Sequence, residues 1–427
     1  MMGIKDFLIT PFYLILISVV AYLLRPIFSS RSTRKYFLPA LWVKFLGAIA
    51  LGAIYQFYYD GGDTFNYFTH GSVHIWDALN EKFSDGVSLL LNPGGEHPDD
   101  SSFIYSSQIW YFRDVKSYLI VRITAFLDIF TLHTYTATAL FFAAFSFSGL
   151  WAMYSAVHKM YPNSRKLHWA ILFIPSVVFW GSGILKDTVT LGALGWLTWA
   201  FLNFAVFRTH RFVAIFIGVL SALLILRIKP YILLCFAPVI FLFFYFNYLK
   251  RIKNTAIKML AAPLILVIFG ALGVAATFYA STGEYNIGNV AERAAVTSYD
   301  IKYGWGARTG GDGTYDLGAL DGSWQSMVKL APSAIIVSLI RPFIWEVRNP
   351  LMLLSALEST LFIILLFQLV ARKKLGSQLK DPFMIFCLVF TVLFAFAVGI
   401  STGNFGTLMR YKIPMLPFFA TFLLRSR

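Results

Sequence analysis

The sequence predicts an all-α protein, a polytopic bundle of about eleven transmembrane helices forming a single integral membrane domain over residues 1–427. Three observations predict it. Hydrophobic residues make up 58% of the chain and charged residues 13%, where a soluble domain carries roughly a quarter. Apolar runs of about 17–25 residues recur along the whole length, as long as a helix needs to cross a bilayer core. Those runs are apolar on every face, whereas soluble helices and strands alternate with periods of 3.6 and 2.

Taken in order, spans are expected at about 7–24, 36–58, 134–157, 167–183, 188–207, 212–226, 231–249, 259–280, 351–371, 381–400 and 409–424. The first, Phe7–Leu24, lacks a basic leader and a small-residue cleavage site, so it reads as a span and not a signal peptide. Cys235 and Cys387 fall inside apolar runs, as small buried residues with no disulfide framework. Ser117–His133 is apolar but carries Arg122 and Asp128. A crossing there would invert every later loop, so it is expected to be a juxtamembrane helix. By the same logic Ala331–Val347 is interfacial or re-entrant.

Loop charge orients the bundle. Six segments hold 19 of the 36 basic residues, among them Arg25, Arg34, Lys159, Arg208, Lys250, Arg372 and Arg425, with Asp381 as their sole acid. Placing these segments in the cytoplasm puts the N-terminus outside and the C-terminus inside. The net charge of +15 then reflects topology, with membrane lipids as partners and no nucleic acid. Two long segments fall outside. One, 59–133, contains the polar stretch Asp60–Lys116; the other, 281–347, contains Ser281–Lys329. Within the first, Trp76, Leu79, Phe83 and Val87 recur at helical spacing, predicting an amphipathic helix in the membrane interface.

Ionisable residues at the edges of apolar spans are costly and so point to function. Five clusters gather on the outer side. Tyr58-Tyr59-Asp60-Gly61-Gly62-Asp63 brings two carboxylates together after the second span. One can act as a general base, the pair can hold a divalent cation, or Asp63 simply caps a helix beginning at Thr64. Lys186-Asp187 follows a Gly-Ser-Gly hairpin; Lys186 suits a phosphate, against a plain Lys–Asp pair in a tight turn. Arg227 and Lys229 defy the positive-inside bias and suit an anionic headgroup or diphosphate, against pairing with loop acids. Arg341-Pro342-Phe343-Ile344-Trp345-Glu346 mixes charge with aromatic rings, and Glu358 lies about two turns into the next span, where a basic partner is expected. Arg410 and Lys412 again stand on the outer side, as phosphate ligands or as snorkelling cations. His70 and His74 lack a third ligand at zinc-site spacing. No phosphate-binding glycine loop is present.

This constellation resembles the GT-C superfamily of membrane glycosyltransferases, which take a sugar from a polyprenyl-phosphate carrier. The likeness rests on Asp60 and Asp63 opening a long first loop with two juxtamembrane helices, and on the closing Arg410-Tyr411-Lys412-Ile413-Pro414-Met415-Leu416-Pro417. Phe7–Leu24 is a span in excess of the family pattern, and no soluble domain follows the last span. The resemblance implies an inverting transferase of the bacterial plasma membrane, working in surface glycan assembly. Its partners would be a lipid-linked sugar donor and a glycan or protein acceptor. Asp63 and Asp60 would be catalytic, with a divalent cation at that pair an open alternative. Lys186, Asp187, Arg227, Lys229, Arg341, Glu346, Arg410 and Lys412 would surround the lipid phosphate. Two other readings compete: a surface-polysaccharide polymerase or ligase acting on lipid-linked oligosaccharides, and a flippase or transporter. Transporters place charge at the midplane, whereas these charges lie at the rim.

Overall fold

The computed structural model describes residues 2–251, 290–305 and 313–425. Every regular element among them is helical; one isolated bridge, Thr314 to Asn404, is the extended exception. The span expected at 259–280 lies outside the described residues, as does part of the second polar segment. The chain packs as two compact units, Met1–Asn163 with Leu172–Lys229, and Ser164–Ile171 with Pro230–Arg427.

The first unit opens with α1 (Ile4–Phe28) and α2 (Arg34–Phe57). The polar segment follows as α3 (Asp63–Tyr67), a π turn at Phe68–Ser72, α4 (Val73–Glu81), α5 (Phe83–Leu91), α6 (Phe103–Ser106) and α7 (Val115–Thr131). Next come α8 (Tyr135–Met160), α9 (Leu167–Ile171), α10 (Pro175–Trp180), α11 (Lys186–Leu202) and α12 (Arg211–Ile228). α11 runs on through a π turn at Asn203–Phe207. All but α9 belong to this unit. α1 turns Phe7, Phe12, Ile15 and Leu23 outward, an apolar face suited to lipid. It is fastened at its start by Asp6, whose carboxylate accepts from the Gly3 N–H and from the Thr136 N–H and hydroxyl, each at 2.8 Å.

α8 and α11 cross with almost no side chain between them. A Cβ on Gly149 would lie 1.9 Å from the Gly192 carbonyl oxygen, and one on Gly195 2.3 Å from the Gly149 carbonyl carbon. Small residues let helix backbones approach where lipid provides no hydrophobic drive to associate.

The second unit holds α9, α13 (Tyr231–Arg251), α14 (Val290–Tyr299), α15 (Trp324–Ile340), α16 (Pro350–Ala371), α17 (Leu375–Gln378), α18 (Pro382–Ser401), α19 (Phe405–Tyr411) and α20 (Leu416–Leu424). α18 is its centre and packs on α13, α15 and α20. Phe236, Phe386, Phe390 and Phe418 interlock there edge to face. Gly399 brings α18 against α15, since a Cβ there would lie 2.1 Å from the Ala334 carbonyl oxygen. Asp381 caps α18 through the Phe383 N–H and pairs with Arg425 at 2.9 Å. Cys235 and Cys387 are buried free thiols.

Seven described helices are long and apolar enough to cross a membrane: α1, α2, α8, α11 with its π turn, α12, α16 and α18. They meet the requirement of an integral membrane protein. Two expected spans are not single helices. The run 167–183 breaks before Pro175, which lacks an N–H and forces Ile174 into extended geometry at ψ 122°. Its halves serve different units, α9 packing on α20 and α10 on α2. The run 409–424 divides into α19 and α20 around a turn containing Pro414. The amphipathic stretch is also two helices, α4 and α5, folded back at Lys82, where ψ is 89°. Gly86 permits the return, since a Cβ there would lie 2.6 Å from the Leu79 nitrogen. Ser117–His133 is helical as α7, and ends on Leu132 and His133, both left-handed with φ of 53° and 51°.

Candidate functional site

After α2, the chain reverses on Gly61 and Gly62, with φ of 126° and 123°. Only glycine fits the second position, because a Cβ would lie 2.7 Å from the Tyr55 ring. The Gly61 N–H donates to the Tyr55 carbonyl at 2.8 Å, tying the reversal to the helix it leaves. Asp60 projects from this reversal, exposed, at φ 52°. Gly62 takes the cap position, its carbonyl accepting from the Phe65 and Asn66 N–H groups. Asp63 is therefore the first residue inside α3 and not its cap, which corrects the capping alternative. The Tyr111 hydroxyl donates to Asp63 Oδ1 at 3.4 Å and accepts from Asn66 Nδ2 at 3.3 Å.

Tyr111 opens a tight turn closed by the Asp114 N–H on the Tyr111 carbonyl, at 3.1 Å. Asp114 caps α7, accepting from the Lys116 N–H and the Ser117 hydroxyl. The oxygen that takes the Ser117 hydroxyl, Oδ2, also receives Lys186 Nζ at 3.2 Å. Burial pushes the Asp114 carboxyl up, but the Lys186 charge, the Ser117 hydroxyl and the Lys116 N–H outweigh it, leaving the group below its ordinary range. One four-residue turn thus grips Asp63 at one end and Lys186 at the other.

Lys186 begins α11, and Asp187 follows it into the core. Asp187 is 1% exposed and accepts from Lys229 Nζ at 2.5 Å. Lys229 ends α12 and is itself buried. Asp63, Tyr111, Asp114, Lys186, Asp187 and Lys229 so form one connected polar chain within the first unit. Two of its lysines each face a carboxylate, so it is not the excess of cations that the sequence suggested. The two pairs differ. Lys229–Asp187 is sealed from water, while Lys186–Asp114 is open, with side-chain exposures of 17% and 48%. The open pair can exchange its partner for a ligand anion. Arg227 is exposed near the end of α12, and no hydrogen bond or ion pair among the described residues joins it to the chain.

A second polar cluster lies in the second unit. Arg341 grips Glu346 with two nitrogens, Nε lying 2.9 Å from Oε1 and 3.1 Å from Oε2, and Nη2 also donating to Oε1. Glu346 also accepts from the Phe343 N–H at 2.8 Å. Burial raises the Glu346 carboxyl, but Arg341 and that N–H hold it below the ordinary range. The Arg341 guanidinium rests over the Phe405 ring at 5.1 Å. Lys412, 1% exposed, donates to the Arg341 carbonyl at 3.2 Å and to the Ser359 hydroxyl at 3.3 Å. Glu358 is buried next to Ser359, and its charge acts on Lys412. Arg341, Glu346 and Lys412 therefore come together, while Arg410 stands half-buried on α19.

Among the described residues no three His, Cys, Asp or Glu side chains gather as a metal site. A cation at Asp60 and Asp63 would have to draw its remaining ligands from water and substrate.

Sequence reasoning passed over Lys44, Tyr111 and Asp114. Lys44 sits mid-helix in α2, 1% exposed. Its ammonium donates to Ser146 Oγ at 3.1 Å and to the Val177 and Gly181 carbonyls at 3.0 and 2.6 Å. The Val177 carbonyl also accepts the Gly181 N–H that caps α10, so Lys44 takes its second lone pair and sits at the helix's negative end. Lys44 thereby fixes the stretch that leads into Lys186. The available signal was a lone lysine in a 23-residue apolar run. No family model, curated protein or solved structure matches the chain.

Proposed function

We propose that the protein is a membrane glycosyltransferase of the GT-C type, moving a sugar from a polyprenyl-phosphate carrier to an acceptor hydroxyl on the extracytoplasmic face. In this reading the chain crosses the bilayer about eleven times, with the N-terminus outside and the C-terminus in the cytoplasm of a bacterial plasma membrane. The observation that carries it is the Tyr111–Asp114 turn, which couples a carboxylate, Asp63, to an exchangeable ammonium, Lys186. Inverting transfer needs that combination: a base for the acceptor and a cation for the departing phosphate.

Asp63 takes the proton of the acceptor hydroxyl, whose oxygen forms the new bond to the anomeric carbon. The bond from that carbon to the carrier phosphate breaks, and its electron pair leaves with the phosphate. Lys186 releases Asp114 and meets the new negative charge. The Tyr111 hydroxyl holds Asp63 in place, and exposed Asp60 assists at the mouth. Lys229, sealed against Asp187, anchors the start of α11 and does not touch the phosphate; Arg227, exposed near the end of α12, is available to it. Arg341 and Lys412 are engaged by Glu346 and Glu358 and shape their own unit. The same groups would serve a polymerase or ligase on a diphosphate carrier, which would yield a ladder of repeats in place of single additions.

The test is transfer of radiolabelled sugar from polyprenyl phosphate in membranes expressing each variant. Asp63→Asn is expected to lose at least about a hundredfold in rate, the usual worth of a positioned base. Lys186→Met is expected to fall comparably while expressing at the wild-type level. Wild-type transfer by Asp63→Asn would overturn the assignment.

A further inference from the structure

At the corner between α7 and α8, a buried carboxylate and an imidazole are assembled in a way the transfer reading does not use. Asp128 is 0% exposed. Its Oδ1 accepts from the Thr138 hydroxyl at 2.8 Å, and its Oδ2 from the Ser72 hydroxyl at 2.7 Å and from His133 Nδ1 at 2.9 Å. The Asp128 carbonyl also accepts the His133 N–H at 3.0 Å, so backbone and ring are bound to one residue. His133 reaches this position only through a left-handed backbone, φ 51°, immediately after the left-handed Leu132. Its ring stacks on Phe68, centroids 4.1 Å apart and planes 2° apart, and lies nearly parallel to Trp76 at 6.0 Å.

The consequence is chemical. In the neutral ring, a carboxylate that receives Nδ1–H leaves the lone pair on Nε2. Among the described residues Nε2 has no hydrogen-bond partner, and it is not one of the sealed, unsatisfied atoms. His133 lines a cavity of about 260 Å³ together with Lys5, Asp6, Phe68, Thr69 and Tyr135. Asp6 is already satisfied by Gly3 and Thr136. Lys5 gives one of its three hydrogens to the Leu132 carbonyl at 2.9 Å. The Thr69 hydroxyl gives its hydrogen to the Phe65 carbonyl at 2.8 Å, so the cavity offers two acceptors, Nε2 and the Thr69 oxygen, with spare ammonium hydrogens and aromatic walls. That set fits a neutral polyhydroxyl group, with a hydroxyl donating to Nε2 and other hydroxyls accepting from Lys5. One wall residue also reaches the sequence neighbour of the candidate base. The Tyr135 hydroxyl in its wall hydrogen-bonds Thr64 Oγ1 at 2.7 Å, and Thr64 follows Asp63 in α3.

We propose that this cavity is a binding site for a sugar ring or a similar polyol, with His133 Nε2 as the acceptor of one ligand hydroxyl and Asp128 as the residue that positions the imidazole. Its role as the acceptor subsite of sugar transfer rests on the function proposed above; its capacity to bind a polyol does not.

The experiment is nitrogen-15 spectroscopy of histidine-labelled protein in lipid nanodiscs, with His133 assigned through His133→Gln. Methyl α-D-glucopyranoside, methyl α-D-galactopyranoside and glycerol are the probes. The expected result is a proton on Nδ1 and an Nε2 resonance that moves saturably with at least one probe. Asp128→Asn should free the tautomer, and Thr69→Val, which leaves the dyad untouched, should weaken the same probe by about tenfold, the worth of one hydrogen bond. A proton on Nε2, or no saturable shift with any of the three probes, overturns the proposal. Saturable binding that survives in Asp63→Asn supports the site apart from catalysis. Saturable binding by a wild-type protein that transfers no sugar upholds the site while removing the transferase reading.

Discussion

Two roles are open to Lys229, phosphate ligand or buried partner, and replacing the pair it forms separates them. The ammonium lies 2.5 Å from Asp187, with side-chain exposures of 8% and 1%. Both charges are buried, so removing one leaves the other desolvated without its close counter-ion. Breaking a buried pair in this way costs about 3–5 kcal/mol, whereas exchanging both members for apolar residues of similar volume is often neutral or stabilising. Asp187→Asn and Lys229→Met are each expected to lose about 3–5 kcal/mol. The double variant Asp187→Leu/Lys229→Met should recover most of that loss, to within about 1 kcal/mol of wild type. Equilibrium unfolding in mixed micelles of increasing denaturing detergent, read by tryptophan fluorescence, measures all four proteins. The same double variant carries the functional half of the test. If Lys229 only anchors α11, the refolded double variant transfers sugar within about tenfold of wild type, a shift of no more than about 1.4 kcal/mol in barrier. A stable but inactive double variant would refute the anchoring role. Losses that simply add, with no recovery, would refute the pair.

Two further outcomes are expected. Gly149→Ala should destabilise by about 1–3 kcal/mol or more, because the new methyl meets the Gly192 backbone and no side chain can move aside. Gly376→Ala, in open space on α17, should be neutral or slightly stabilising; equal effects of the two in a thermal melt would sink the close-crossing account. Asp114 should titrate below the ordinary carboxylate value of 3.8. A lowered carboxyl adds stability above its unfolded value and loses it as pH falls through the folded one. The Lys186–Asp114 link should therefore hold across neutral pH and open only in strong acid. Carbon-13 titration of Asp114 checks this, and an unchanged midpoint in Lys186→Met would show that Lys186 is not responsible.

The membrane-crossing helices were readable because a span is a sum over some 20 residues, and one unusual residue barely changes the sum. That same averaging hid the features that matter at the site. Pro175 breaks the run 167–183 through one missing N–H and one clash, which a hydropathy window does not register. Lys44 disappeared into its run for the same reason. The reversal after α2 was legible in Gly61-Gly62, because positive φ has a residue signature. The partners of Lys186 and Lys229 were not, since Asp114 lies 72 residues from Lys186 and no local pattern links them. Asp187 was noticed, but as a neighbour of Lys186 and not as the acid that Lys229 requires. His133 was read only as the end of a juxtamembrane helix. What makes it unusual, a left-handed backbone under a buried carboxylate, comes from tertiary contacts with Ser72 and Thr138.

Lys44 has a consequence for how the protein is made. Its carbonyl acceptors, Val177 and Gly181, are synthesised 133 and 137 residues after it. At chain elongation of about 5–20 residues per second, α2 waits several seconds before they emerge. Through that interval a helix carrying a central ammonium, at about 2.5–3.5 kcal/mol against insertion, has to be held at the edge of the bilayer or by the insertion machinery. α10 is thus the counterpart that lets α2 settle, and a chain truncated before residue 177 should release α2 to alkaline extraction where one truncated after residue 202 does not.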